Sequence, residues 1–186
     1  MAEAELETAR LILRRPVEAD LLWQQQWLNT AAVMRHMGGV QAPETLEPGF
    51  AANAAAMAAD GPGFWTVVLR ETAKPIGKCG LASITGSSVP ADLQDEVQVG
   101  WSLAEAFWRY GYGSEAARAA IAQGFTARGL GTIWAQTSDS NAASTAMMTR
   151  LGLTRCPQYD YTDPAYPAAD NPTTIYRLTK TEWEQS

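Results

Sequence analysis

Apolar and polar residues alternate over residues 96–103, with Val97, Val99 and Trp101 on one side and Glu96, Gln98 and Gly100 on the other. A period of two predicts a strand. After Ser114 the period lengthens: Ala117, Ile121 and Phe125 stand four apart while Glu115, Arg118 and Gln123 turn elsewhere, the stripe of an amphipathic helix. Between strand and helix lies Trp108-Arg109-Tyr110-Gly111-Tyr112-Gly113-Ser114. Its two glycines allow a sharp turn and bring backbone N–H groups close to an anion at the positive end of the helix. The spacing predicts a phosphate cradle, with an ordinary tight turn as the plainer alternative.

The rest of the chain fits around that unit. Residues 9–15 alternate as a strand that Pro16 stops. Leu21, Leu22, Trp23, Trp27 and Leu28 continue as a helix after Glu18 or Asp20. Residues 31–43 are weakly periodic and hold Arg35 and the only histidine, His36. Imidazole titrates near neutral pH and can act as a base, but a place between helices favours a surface or helix-end role. The alanine-rich residues 44–60 predict a helix ended by Gly61-Pro62-Gly63. Residues 64–70 and 76–84 are rich in strand formers and flank a hairpin-like connection, and 86–92 read as loop.

Gly129-Leu130-Gly131 closes the central helix, and residues 132–137 form the next strand. Strand, crossover helix and strand in that order predict a parallel pair. In residues 138–153, Asp139 or Ser140 is placed to cap a helix whose Ser144, Met147, Met148 and Leu151 share one face, with Gly152 ending it. Ser144 then turns a hydroxyl inward, where it bonds either to the carbonyl four residues earlier or to another partner. Residues 154–170 read as a strand running into a long loop with three prolines and with Asp160, Asp163 and Asp170, before a returning strand over 173–179.

Composition narrows the class. A chain of 186 residues, 46% apolar and 18% charged with seven tryptophans, suits one globular domain over 1–186, and it shows no internal repeat or linker. The net charge of −6 argues against a nucleic-acid binder and permits a cationic substrate. Cys79 and Cys156 have neither metal-ligand spacing nor a disulfide framework, so no metal is expected and both are read as reduced and buried. No apolar run reaches membrane-spanning length and the N-terminus lacks the order of a signal peptide, which makes the cytoplasm the expected location.

Gly111 to Ala116 also fits G-x-G-x-x-A, the dinucleotide-binding turn. That turn joins strand directly to helix with an acid roughly 20 residues on. Here residues 104–111 intervene and 131–136 carry no acid. The segment instead resembles motif A of the GCN5-related N-acetyltransferases, Gln/Arg-x-x-Gly-x-Gly/Ala. It is most similar to the branch of ribosomal-protein N-terminal acetyltransferases through Trp108, Gly111, Gly113 and Ser114-Glu115-Ala116. The opening Thr8-Ala9-Arg10-Leu11-Ile12-Leu13-Arg14 is common in the same branch. Asn141, Ser144, Gly152 and Leu153 resemble its motif B. Trp108 departs from the Gln or Arg of motif A, and Met148 stands where many members have a tyrosine.

The resemblance implies an α/β fold: a mixed, mostly antiparallel twisted sheet with helices on both faces and one splayed parallel strand pair. It implies that the backbone of Arg109, Tyr110, Gly111, Tyr112, Gly113 and Ser114 binds the pyrophosphate of acetyl-coenzyme A. The freed strand edge near Gly100, Trp101 and Leu103 would bind the pantetheine arm like an added strand, with Asn141 as a further contact. Ser144 would protonate the leaving thiolate in place of the missing tyrosine, and the two early helices would wall the acceptor side.

Amide formation needs a neutral amine. Glu96 is the foremost acid for removing the proton, with Asp95, Glu44 and Glu47 as competitors and a solvated strand-end role as the plain alternative for Glu96. A backbone amide at Gly100 or Trp101 would polarise the thioester oxygen. Neither cysteine is marked as an activated thiolate, so direct transfer without an acyl-enzyme is expected. Nothing in the sequence identifies the acceptor: a protein N-terminus, a small amine, an antibiotic and a free amino acid remain open. So do a longer acyl group such as succinyl, and a non-catalytic coenzyme A sensor suggested by Gln98, Trp108 and Met148. A homodimer is the commonest assembly for small enzymes. The aspartates of the long loop would either face water or form a lid that attracts a cationic acceptor.

Overall fold

The computed structural model describes residues 4–186. Strands β1 (Ala4–Glu7), β2 (Leu11–Arg14), β3 (Phe64–Leu69), β4 (Pro75–Ser83), β5 (Val97–Leu103), β6 (Thr132–Ser138), β7 (Thr154–Arg155) and β8 (Thr173–Thr179) form one sheet. Their order is β1-β2-β3-β4-β5-β6-β8-β7. Every neighbouring pair is antiparallel except β5 and β6, which are parallel as the strand–helix–strand order requires. Helices α1 (Glu18–Trp27), α2 (Pro43–Ala58), α3 (Tyr112–Thr126), α4 (Ala142–Arg150) and α5 (Lys180–Glu184) complete the described chain. Among the described residues no helix is long and apolar enough to cross a membrane.

Cross-strand register sorts the side chains into two faces. Leu13 pairs with Val67, Val67 with Gly77 and Gly77 with Leu103. That row and the parallel row Trp65, Cys79, Trp101 belong to the main core, together with Ala116, Ala117, Ala120, Ile121 and Phe125 of α3. Small residues let α3 lie close: a Cβ at Gly124 would stand 2.8 Å from Ile133 Cδ1. The alternate row, Arg14, Thr66, Lys78 and Ser102, faces α1. There the buried Asp20 of α1 takes Arg14 Nη1 at 2.6 Å, the Thr66 hydroxyl at 2.8 Å and the Val17 N–H at 2.9 Å. A second core contains Trp134 of β6 and Ile175 of β8, with Ile84 and Leu93 of the β4–β5 connection and Cys156.

The local differences from the sequence reading have local causes. Strand β1 is only four residues long, with Ala4 and Leu6 as its apolar positions, too short to establish a period. Helix α4 is capped by Asn141 and not by Asp139 or Ser140: the Asn141 Oδ1 accepts from the Ser144 N–H at 3.2 Å. Helix α3 begins two residues before Ser114, at Tyr112, so Gly113 lies inside its first turn. Helix α5 carries the reciprocal capping signature of Thr179 and Glu182, legible in the sequence but too short to show a stripe.

Candidate active site

The parallel strands touch in register only at Gln98 and Trp134. Beyond that point β6 keeps its pairing with β8 through Ser138, and β5 keeps its pairing with β4 through Leu103. Their facing edges therefore diverge, and a cavity of about 930 Å³ opens between them. Gln98 to Leu103, the bend before α3, Gln136 to Ser138 and the inner side of α4 line it. On its other side the cavity reaches residues 32–37 and the 161–173 connection.

The bend is built by two left-handed residues, Arg109 at φ 66° and Gly111 at φ 80°. Gly111 is the N-cap of α3, and the first bond at that end runs from the Glu115 N–H to the Gly111 carbonyl at 3.1 Å. The N–H groups of Tyr112, Gly113 and Ser114 are thus unspent among the described residues, as the first donors of a helix are. They stand at the positive end of a helix, the setting in which phosphate oxygens bind.

Arg10 fixes this bend from 100 residues away in sequence, donating to the Tyr110 carbonyl at 2.9 Å. Its Nε donates to Glu115 Oε2 at 2.7 Å, and its guanidinium lies 4.5 Å from the centre of the Tyr112 ring. Burial pushes the Glu115 carboxyl up, but the Thr8 hydroxyl and the Arg10 N–H and guanidinium more than offset this and hold it below its ordinary value. No local pattern in the sequence marks Arg10 for this task.

Trp101, Leu103, Arg109, Gly111, Tyr112, Gly113, Ser114, Asn141 and Ser144 all line the cavity. Tyr110, expected among the cofactor contacts, is not part of the cavity wall: it is exposed, stacked on Tyr112 at 5.8 Å, and its carbonyl is taken by Arg10. Asn141 spends its carboxamide within the fold, capping α4 and donating to Thr137 Oγ1 at 3.1 Å. The Ser144 hydroxyl makes no bond to a helix carbonyl among the described residues; Thr145 and Thr149 make such bonds instead. Met148 is buried in the main core.

Glu96 is placed differently. Its Oε2 accepts from the Trp134 indole at 2.8 Å, and it is not part of the cavity wall, nor are Asp95, Glu44 and Glu47. The far end of the cavity brings together His36 and the loop aspartates, weighed separately in the sequence, with Lys78 and Tyr161, which the sequence did not mark. His36 Nδ1 lies 3.0 Å from Asp170 Oδ1 and 3.2 Å from Ser140 Oγ. Lys78 lies 5.6 Å from the centre of the Phe64 ring, and burial lowers its pKa. Of the three loop aspartates, Asp163 and Asp170 line the cavity while Asp160 turns to Arg155 and is held there at 2.7 Å. Burial likewise raises the pKa of Tyr161, whose hydroxyl donates to Gln136 at 2.8 Å.

Comparison with known proteins agrees with this geometry. A profile of the acetyltransferase (GNAT) domain matches residues 10–154. The FsC-acetyl coenzyme A-N(2)-transacetylase of Aspergillus fumigatus is 29% identical over 124 residues, 66% of this chain and 53% of that protein, so the chain spans about half of its length. The uncharacterized N-acetyltransferase YoaA of Bacillus subtilis is 27% identical over 80% of this chain and 81% of its own. Among solved structures, an acetyltransferase from Agrobacterium tumefaciens superposes with a TM-score of 0.76 at 27% identity, covering 97% of this chain and 96% of that one. The ribosomal L7/L12 alpha-N-protein acetyltransferase RimL, solved with coenzyme A, shares the fold at a TM-score of 0.75 and 16% identity over 95% and 98% of the two chains.

Proposed function

The chain belongs to the GNAT acetyltransferase family, and from that premise we propose that it is an N-acetyltransferase that moves an acetyl group from acetyl-coenzyme A directly to a primary amine, a protein N-terminus or a small amine. One observation carries this reading: the diverging edges of β5 and β6 open into the same cavity as the unspent N–H groups at the start of α3. Those N–H groups, with the Arg109 backbone, would hold the pyrophosphate. The edge over residues 100–103 would hold the pantetheine arm, since strand-edge groups seek a partner. RimL, which has the same fold, is known with coenzyme A bound, in keeping with that assignment.

Direct transfer is favoured by the state of the two thiols. Cys79 is fully buried and burial pushes its pKa up to about 12, while burial also raises that of Cys156. Neither lines the cavity, so neither is placed to take the acyl group. The acceptor must shed a proton before attack, because an α-amino group titrates at about 7.7–8.0 and a lysine ammonium at about 10.4. Glu96, bound to the Trp134 indole, could receive that proton only across water. Ser144, with its hydroxyl unspent and on the cavity wall, would deliver a proton to the departing sulfur. Holding thioester and amine together in one cleft can itself contribute roughly 7–11 kcal/mol.

The test is a thiol-release screen of acetyl-, propionyl- and succinyl-coenzyme A against pooled amines and N-terminal peptides, run beside calorimetry with coenzyme A. Heat together with release from acetyl-coenzyme A is the expected result. Heat without release for any pair would favour a coenzyme A sensor, and no heat would overturn the reading.

A further inference from the structure

The acceptor end of the cavity is closed by three segments far apart in sequence: 28–42, the β6–α4 turn and the 156–172 connection. The first is fastened at its root by Asn29, whose side chain donates to the Gln41 carbonyl at 2.7 Å and accepts from the Gln41 N–H at 2.8 Å. Thr30 ties it to Glu105, just before the bend, at 3.0 Å. The connection is fastened by the Tyr161 and Thr173 backbone bridge and by Asn171, which accepts from the Asp163 N–H at 2.9 Å. These anchors bring His36 against Asp170, with side chains only 19% and 11% exposed, and both residues on the cavity wall.

The contact determines which ring nitrogen is bare. A carboxylate only accepts, and its Oδ1 is 3.0 Å from His36 Nδ1. Were Nδ1 unprotonated, two lone pairs would face each other across that gap. Ser140 Oγ at 3.2 Å fits as a second acceptor, its own hydrogen being free to point to Asp170 or to Ser138 Oγ at 2.8 Å. Nδ1 therefore carries the hydrogen, and the neutral ring holds its lone pair on Nε2. Nε2 makes no hydrogen bond to the described residues. The other titratable or charged groups on this part of the wall are Arg35 of the same segment, Lys78 of β4, and Tyr161, Asp163 and Tyr166 of the connection. Tyr161 is engaged with Gln136, and Lys78 and Arg35 are cations that cannot accept a proton while charged.

We propose that His36, oriented by Asp170 through Nδ1, is the general base that takes a proton from the acceptor ammonium on Nε2. The proposal rests on the acetyl-transfer reading above and assigns the proton acceptor of that reaction to a pair that lies in the cavity. Balance is kept as follows. One ammonium proton passes to Nε2 and then to water. The neutral nitrogen forms the C–N bond, the C–S bond breaks, and a second nitrogen proton reaches the sulfur through the Ser144 hydroxyl, which gives one hydrogen and receives one. The third stays on the amide. Asp170 is a positioning residue and does not change its protonation.

His36 is the only histidine in the chain, so ¹⁵N-labelled histidine reports a single imidazole. The neutral ring is expected as the Nδ1–H tautomer, and Asp170→Asn should abolish that preference. A neutral Nε2–H ring in the wild-type protein would overturn the proposal whatever the acceptor. His36→Gln should lower kcat by roughly 10²-fold near neutral pH, for the amine that the release screen selects, with the deficit narrowing as the amine deprotonates unaided. Heat of coenzyme A binding should persist in that variant. Wild-type kcat and pH profile in His36→Gln would also overturn it. Failure of the acetyl-transfer reading looks different: the wild-type protein itself would give no coenzyme A heat and no thiol.

Discussion

The indole N–H of Trp108 donates to the carbonyl of Leu103 at 2.7 Å, so the side chain at the first position of the bend is spent on the last residue of β5. The Gln or Arg that motif A would bring here could reach a phosphate; this Trp instead braces the loop between strand and cradle. The shape of the bend then depends on Trp108 from one side and on Arg10 from the other. Trp108→Phe keeps the ring and removes the donor. A single hydrogen bond of this kind contributes roughly 0.5–1.5 kcal/mol, which corresponds to coenzyme A binding about three- to tenfold weaker. Calorimetry measures this directly, and unchanged affinity would show that the brace does not shape the cradle.

Gly111 holds φ 80°, and its Cα lies against Arg10, where a Cβ would be 3.4 Å from the guanidinium. A β-branched side chain is strained in the left-handed region whatever the space, at a cost of roughly 1–2 kcal/mol. Gly111→Val is therefore expected to lower Tm by a few degrees and, on the proposed function, to weaken coenzyme A binding as well, because it displaces the N–H groups proposed to hold the pyrophosphate. Gly113 differs. It sits in the first turn of α3 with ordinary helical geometry, and a Cβ there would meet Leu103 and Met147 at 3.4 Å. Gly113→Ala should be tolerated better than Gly111→Val in both measurements.

Asp20 gives a pH signature. Its burial raises the carboxyl pKa, but the bonds from Arg14, the Val17 N–H and the Thr66 hydroxyl outweigh that and bring it below its ordinary value. A carboxyl lowered by folding stabilises the fold fully above the unfolded value of about 3.9, and the contribution is lost as pH falls through the folded value. Asp20→Asn leaves the mostly buried Arg14 without its counterion, at a cost of roughly 3 kcal/mol or more near neutral pH. Urea titrations of the two proteins should differ by a constant amount from pH 6 to 8, on the order of that figure. The difference should shrink below about pH 4.

Most of the fold could be read from the sequence where one face of an element is buried. Strand β8 was visible in full because Thr174, Ile175 and Leu178 are buried against partners on both sides, and the parallel pair followed from strand order. The bend before α3 was legible because Gly111 and Gly113 stand next to the start of the helical stripe. The far end of the cavity was not, because only tertiary structure brings its residues together: His36 and Asp170 are 134 residues apart. The brace on the bend was hidden for the same reason, Arg10 and Glu115 being 105 apart. A lone histidine in a weakly periodic segment gives no sign of the carboxylate it will meet. Glu96 drew notice for its place at the head of β5, yet the residue that occupies its carboxylate, Trp134, lies on the neighbouring strand.

The thiols predict a negative result. Cys79 is held fully buried with its pKa at about 12, so the reactive thiolate is scarce at any physiological pH. Incubation with acetyl-coenzyme A alone should leave the protein mass unchanged, and Cys79→Ala should retain wild-type kcat with only a modest loss of Tm from the space left behind. A stable acetyl adduct on either cysteine would replace direct transfer by a two-step route.

Ser144 separates binding from chemistry. Its N–H is fixed by Asn141 and the residue lines the cavity, so Ser144→Ala removes one oxygen while leaving the α4 cap in place. The departing group is a thiolate, whose conjugate acid titrates near about 8.5, so it leaves without much help and the demand on an acid is modest. The expected loss in kcat is about tenfold, at the low end of what proton transfer contributes, with coenzyme A affinity unchanged. Asn141→Ala should act in the opposite way, lowering stability by roughly 1 kcal/mol through the lost cap. If Ser144→Ala kept full kcat, the proton that reaches sulfur would have to come from water or from the amine itself.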